Sequence, residues 1–233
     1  ASVAVGGIEP ARVVLRDVLV EVEQQPGLGE VAELLDRRRH EVERALLGVD
    51  VHGYLNDVVL GIKVLQRAGL TRIVYVDLDA HHCDGVELAF AGDPGVRMIS
   101  VHEEGRWPFS GALADTGQGS AFNLPVPRGY NDTEARAVLE GLILPRVAEF
   151  RPEAIVLQCG ADSLAEDPLS RLMLSNRAYL EAVSALGGLA DRFLVLGGGG
   201  YNPWSAGRLW TAIWGSLSGQ DLPDQLPATA QAV

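Results

Sequence analysis

Two cysteines, Cys83 and Cys159, are all that the 233 residues contain. That is too few for the disulfide framework of a small secreted domain, and a reducing cytoplasm is the expected setting. Long apolar runs are missing as well. No uncharged stretch approaches bilayer-spanning length, and the apolar opening, residues 1–5, is short with no basic residues ahead of it, so no membrane location is expected. Positive charge is scarce, with 19 Lys and Arg against 31 Asp and Glu and a net charge of −12. Such a field opposes phosphate backbones and favours cationic ligands, which argues against direct nucleic-acid binding. Repeats and low-complexity segments are also absent. What remains is a chain with 47% hydrophobic residues, enough to bury a substantial core, and the expectation is one domain over residues 1–233.

Short apolar runs alternate along the chain with longer segments of helical period. The runs predict strands at 72–79, 96–102, 154–159 and 193–196, and the periodic segments predict helices at 54–68, 133–150 and 176–189. This order implies an α/β layer fold with a mainly parallel sheet. The first fifty residues are less informative. A surface helix is expected at 30–47, where the basic triplet Arg37, Arg38 and Arg39 reads as a solvated face, after the Pro26-Gly27-Leu28-Gly29 loop.

The most distinctive segment is Asp77-Leu78-Asp79-Ala80-His81-His82-Cys83-Asp84-Gly85-Val86, which follows the apolar run Ile73-Val74-Tyr75-Val76. Carboxylates and imidazoles at the end of a buried strand need partners, and strand alternation would put Asp77, Asp79 and His81 on one side, where they could hold a divalent metal. Two further clusters also follow strands. They are Gly160-Ala161-Asp162 and Gly197-Gly198-Gly199-Gly200-Tyr201. Each has an ordinary explanation alone: an Asp-x-His hydrogen bond, an aspartate cap, a flexible turn. Ligands of open parallel sheets bind outside the carboxyl ends of the strands, so three such clusters at equivalent places favour one shared metal site.

These motifs, together with Val156-Leu157-Gln158-Cys159 before Gly160, Asp167-Pro168-Leu169, and Asn202-Pro203-Trp204 after Tyr201, resemble the histone deacetylase family, most closely its bacterial acetoin-utilisation members. The resemblance covers residues 54–223, with residues 1–50 poorly matched and 224–233 a tail. It implies the three-layer arginase/deacetylase α/β fold, incomplete at its N-terminal part. It implies one zinc ion held by Asp79, His81 and Asp162, and a hydroxyl of Tyr201 that stabilises the oxyanion formed from an amide carbonyl. Trp107 falls where the family has an aromatic wall of the acyl-lysine tunnel, Gly199 and Gly200 would allow close approach of substrate, and Asp77 and Ser100 resemble ligands of a structural potassium ion. The implied substrates are acetylated lysine in a protein or a related acetylated amine. Arginase-type hydrolases share the fold but need two more aspartates for a second metal, where this chain has Cys83 and Leu164.

One departure bears on activity. The family carries a Gly-Gly-x-His-His stretch before a Gly-Phe-Cys-Tyr-x-Asn-Asp segment, and its tandem histidines act as general base and electrostatic partner. Here the sequence runs Val51-His52-Gly53-Tyr54-Leu55-Asn56-Asp57 without that pair. Asp77 and Asp84 match the carboxylates that orient the missing histidines. Three readings follow: a zinc-dependent deacetylase, an impaired homologue that still binds zinc and acyl-lysine, or a scaffold without metal.

Overall fold

The computed structural model of the protein describes residues 56–220 together with a short strand at Arg12–Val14. Six strands form one sheet: β1 (Arg12–Val14), β2 (Ile73–Asp77), β3 (Val96–Glu103), β4 (Ala121–Val126), β5 (Ala154–Gln158) and β6 (Arg192–Leu196). Their order is β1-β6-β5-β2-β3-β4, and every pairing is parallel. Six α-helices accompany them among the described residues: α1 (Asp57–Arg67), α2 (Asp84–Phe90), α3 (Asp132–Val138), α4 (Leu144–Phe150), α5 (Asn176–Leu186) and α6 (Pro203–Leu217). None is long and apolar enough to cross a membrane.

The three layers follow from strand alternation, because residues of one strand feed two separate cores. Ile73 and Tyr75 of β2 pack with Val156 of β5 beneath Val59 and Ile62 of α1 and Phe90 of α2. Val74 and Val76 face the other way, joining Ile155, Leu157 and Val195 under Ile143, Val147, Tyr179, Val183, Leu209 and Ile213. A strand buried on both faces must be apolar at every position, which is why β2 and β5 read as unbroken runs.

Several elements differ from the sequence expectation. The first strand stops at Asp77 because Asp77 Oδ1 accepts the N–H of Asp79 at 2.8 Å and turns the chain out of the sheet. The long helix expected at 133–150 is divided by a wide turn, Leu139–Ile143, in which the N–H of Leu144 bonds the carbonyl of Leu139 five residues back. Pro145, with no N–H, cannot continue the ordinary ladder there. Strand β4 went unrecognised because Pro125 interrupts it, which an edge strand tolerates. Helix α6 also went unrecognised, although Asn202 caps it through the N–H groups of Trp204 and Ser205 and Pro203 opens it. Strand β1 lies in the region where no family strand could be read, and it pairs with β6. The helix expected at 30–47, the loop before it and the tail at 224–233 fall outside the described residues.

Leu157 is fully buried between the sheet and its helices. Leu157→Ala is expected to destabilise the protein by about 2–5 kcal/mol through lost transfer energy and a residual cavity. Urea unfolding measures this, and a loss below about 1 kcal/mol would mean that the layers close over the gap.

Candidate metal centre

Loops leaving β2, β5 and β6 meet at the carboxyl end of the sheet. The parallel registers set Asp77 beside Gln158, and Gln158 beside Leu196, so the residues that follow these positions emerge together. Asp79, His81 and Asp162 converge there, with one potential ligand atom from each within 4.8 Å of the others. Asp162 is fully buried and Asp79 is 9% exposed. His81 turns Nδ1 toward both, 3.1 Å from Asp79 Oδ1 and 2.9 Å from Asp162 Oδ2.

The remaining carboxylate oxygens are held by backbone donors. The N–H of Ala80 donates to Asp162 Oδ1 at 2.9 Å, and that of Gly199 to Asp79 Oδ2 at 2.7 Å. Burial and the charge of Asp79 push Asp162 up to about 7. Burial works against a charged His81, but hydrogen bonds to Asp162 and Asp79 overcome it and raise the imidazole to about 10. Two buried carboxylates facing one another call for a cation, and the described residues supply an imidazole that can carry one.

The residues fit a divalent metal. Two carboxylate oxygens and one ring nitrogen form a three-ligand set of the kind that leaves a coordination position open. The surrounding backbone is also shaped to the carboxylates: a Cβ at Gly160 would lie 2.1 Å from Asp79 Oδ2, and one at Gly199 would lie 2.0 Å from Asp162 Oδ2. At Gly200 the added atom would meet Ala161 at 2.9 Å. Glycine at these places is therefore required by the cluster and its packing, a reason independent of the substrate approach expected from sequence.

Of the other residues singled out in the sequence, Tyr201 and Trp107 stand at the cluster. Their rings lie 6.5 and 6.3 Å from that of His81, and they are 44% and 40% exposed. Asp77 does not join the trio. It accepts the Tyr75 hydroxyl at 2.6 Å and the N–H of Asp79, and so supports the ligand loop from below. Asp84 sits in the first turn of α2 and accepts the N–H of Gly85. The potassium reading gains no support: Ser100 Oγ lies 2.8 Å from His102 Nδ1, and Asp77 is occupied as described.

Sequence reasoning missed a second polar layer. His82 points away from His81, with Nε2 3.0 Å from Glu87 Oε2 and Nδ1 2.9 Å from Ser110 Oγ, while His102 Nε2 bonds the carbonyl of Gly111. Both imidazoles thus hold the loop that carries Trp107 and Phe109, the latter 76% exposed with φ 63°. The opposite orientations of adjacent residues in an extended segment could have separated His82 from His81; its distant partners could not have been read.

A parallel α/β sheet with a mixed carboxylate and imidazole cluster at its carboxyl end defines a candidate metal-binding protein, and comparison narrows the class. The histone deacetylase domain model matches residues 52–217, and the chain belongs to the histone deacetylase family. It is 37% identical over 180 residues to histone deacetylase 8 of Danio rerio, covering 75% of this chain and 47% of that protein. It is 38% identical over 179 residues to histone deacetylase RPD3 of Saccharomyces cerevisiae, covering 75% of this chain and 41% of the relative. A crystal structure of an HDAC homolog from Aquifex aeolicus superimposes with a TM-score of 0.72 at 41% identity, over 79% of this chain and 51% of the other. A second HDAC homolog, complexed with SAHA, gives 0.69 at 40% identity, over 77% and 50%. The chain thus spans about half the length of these relatives, or less.

Gly199→Ala is expected to lower stability by more than about 2 kcal/mol, because the new methyl displaces buried carboxylates from their partners. Gly188→Ala, where an added Cβ meets nothing within 4 Å, should stay within about 0.5 kcal/mol of wild type. Parallel urea titrations of the two variants check this, and equal effects would show that the Gly199 turn yields freely.

Proposed function

We propose that the protein is a zinc-dependent amide hydrolase that removes the acetyl group from an acetylated lysine or related amine. The observation that carries this reading is the Asp79, His81 and Asp162 cluster, with Tyr201 standing over it, in a chain of the histone deacetylase family. When bound, zinc supplies a Lewis acid for an amide carbonyl and lowers the pKa of a coordinated water to about 7. The three side chains hold the ion, and Asp77, by accepting the N–H of Asp79, fixes the loop that bears two of them. Tyr201 is a donor at neutral pH, since burial and the charges of Asp162 and Asp79 raise its phenol. Its hydroxyl is suited to stabilise the negative charge that develops on the carbonyl oxygen. Trp107 offers an aromatic wall for the aliphatic stem of an acyl-lysine, and the acidic chain favours a cationic substrate.

A second reading is favoured by one observation, the missing histidine pair before Tyr54. Positioned acid and base groups contribute about 10²–10⁴ in rate, so the chain in this reading binds zinc and acyl-lysine but turns substrate over slowly. Asp77 and Asp84 match in sequence the family carboxylates that orient such histidines. Insertion of a family-like segment bearing the pair between Gly53 and Tyr54 separates the readings. A gain of at least about tenfold in acetyl-lysine hydrolysis indicates that the base was the missing part, and no gain points to another residue as base.

Purified protein is expected to hold about one zinc ion per chain, and Asp162→Ala or His81→Ala should abolish it and lower thermal stability. Elemental analysis that finds no divalent metal in folded, unchelated protein would refute the reading, whereas iron(II) in place of zinc would leave the site assignment intact. In any form with measurable activity, Tyr201→Phe should reduce turnover by roughly 10²–10³ with zinc content unchanged. Undiminished turnover in that variant would remove the oxyanion role.

A further inference from the structure

Segment 197–202, which delivers Tyr201, is fastened at alternate residues. The carbonyl of Gly197 accepts the N–H of Cys159, that of Gly199 accepts the N–H of Ala161, and the N–H of Gly199 donates to Asp79. Between them Gly198 and Gly200 have φ of 140° and 147°, conformations that a side chain would strain. Up to Gly199, then, the turn is tied to β5, the Asp162 loop and the metal ligands. Tyr201 lies beyond these ties. Its own N–H donates at 2.6 Å to Oδ2 of Asp167, a carboxylate only 5% exposed that belongs to neither the metal cluster nor the turn. The other oxygen of Asp167 accepts the N–H of Leu169 at 2.9 Å, which fixes the carboxylate within its own loop. Next along, Asn202 Nδ2 donates to the carbonyl of Glu166 at 3.2 Å, and Arg208 of α6 pairs with the Glu166 side chain.

We infer that Asp167 is the positioning residue for Tyr201: its buried carboxylate sets where the phenol stands over the metal cluster, and so controls the affinity for an acyl group whose oxygen the phenol must reach. This rests on the reading of Tyr201 as a hydrogen-bond donor to that oxygen. The phenol makes no hydrogen bond among the described residues and is nearly half exposed, so its position comes from its backbone. A carboxylate can accept two N–H groups at once. Asparagine would offer a single acceptor oxygen, which it could turn to either N–H, with its NH2 facing the other donor.

Asp167→Ala removes both acceptors, so neither N–H keeps its bond. In the metal-free chain it is expected to speed hydrogen exchange of the Tyr201 amide by about tenfold or more, with the Ala161 and Gly199 amides unaffected. In the zinc-loaded chain, with zinc content checked, it is expected to weaken binding of SAHA about tenfold, the loss also expected of Tyr201→Phe. In a Tyr201→Phe background the same change should add less than about twofold, because it acts through the lost hydroxyl. An unchanged Tyr201 amide, or an equal loss of affinity in both backgrounds, overturns the inference and leaves Asp167 with a structural role alone. Undiminished affinity in Tyr201→Phe refutes the donor reading and with it the inference, by a result independent of the exchange measurement. Should Asp167→Ala fail to fold, Asp167→Leu fills the same space without an acceptor and is held to the same two criteria.

Discussion

Two carboxylates buried face to face, Asp79 and Asp162, impose the constraint on which the rest of this structure depends. At less than 5 Å their mutual repulsion is roughly 3–4 kcal/mol even at an effective dielectric of about 20, and burial adds the loss of hydration. A fold that keeps both must surround them with donors and reserve the space between them for positive charge. The N–H groups of Ala80 and Gly199, the imidazole of His81 and the absence of side chains at Gly160 and Gly199 all answer that demand. The sheet answers it too. Adjacent parallel strands β2 and β5 end in register, so two loops of opposite sequence origin deliver their aspartates to one point without any long-range distortion.

The surroundings of the cluster are organised by two further carboxylates that never enter it, Glu103 buried and Glu87 half-buried. Glu103, 2% exposed at the end of β3, accepts Nε and an Nη of Arg106 and the N–H of Arg171, which joins the Trp107 loop to the loop after Asp162. Its own N–H donates to the carbonyl of Ala80, between the two ligands of the first loop. Glu87, through His82, reaches Ser110 in the same Trp107 loop. Loops at the mouth of a site are ordinarily the mobile part of an α/β protein, and here each is anchored by a charge-assisted bond to a rigid element.

What could be read from the sequence was whatever depends on neighbours in the chain. The unbroken apolar runs of β2 and β5, the Asp79 and His81 pair and the glycines before Tyr201 each carry a local signature, and they led to the layers and to residues that the structure brings together. Elements whose existence depends on partners elsewhere were not legible. Pro125 argues against a strand until β4 is known to be an edge, and the wide turn at Leu139 depends on Pro145 and on packing over the sheet. The alternation that grouped Asp77 with Asp79 and His81 assumed that the strand continued, whereas the side chain of Asp77 itself ends it. Asp167 stood out only as part of the Asp167-Pro168-Leu169 motif and Glu103 not at all, because the N–H groups of Tyr201 and Arg171 that they accept lie 34 and 68 positions away.

The placement of Asp77 also changes what its presence means. As a carboxylate that orients a histidine, it would be stranded in a chain lacking the histidine pair, and its retention would point to a recent loss. In this structure it has work of its own, closing β2 and accepting the buried hydroxyl of Tyr75. Asp84 likewise serves the first turn of α2. Neither residue therefore discriminates between an enzyme and an inert relative. Tyr201 bears on ligand binding instead, because the fold needs only its backbone: Asp167 accepts the amide N–H, while the ring is held half exposed beside His81 with its phenol directed at no described partner. A protein that kept this segment for packing alone would have no use for an aromatic hydroxyl there. The side chain that folding does not require is the one that argues most directly for a ligand above the cluster.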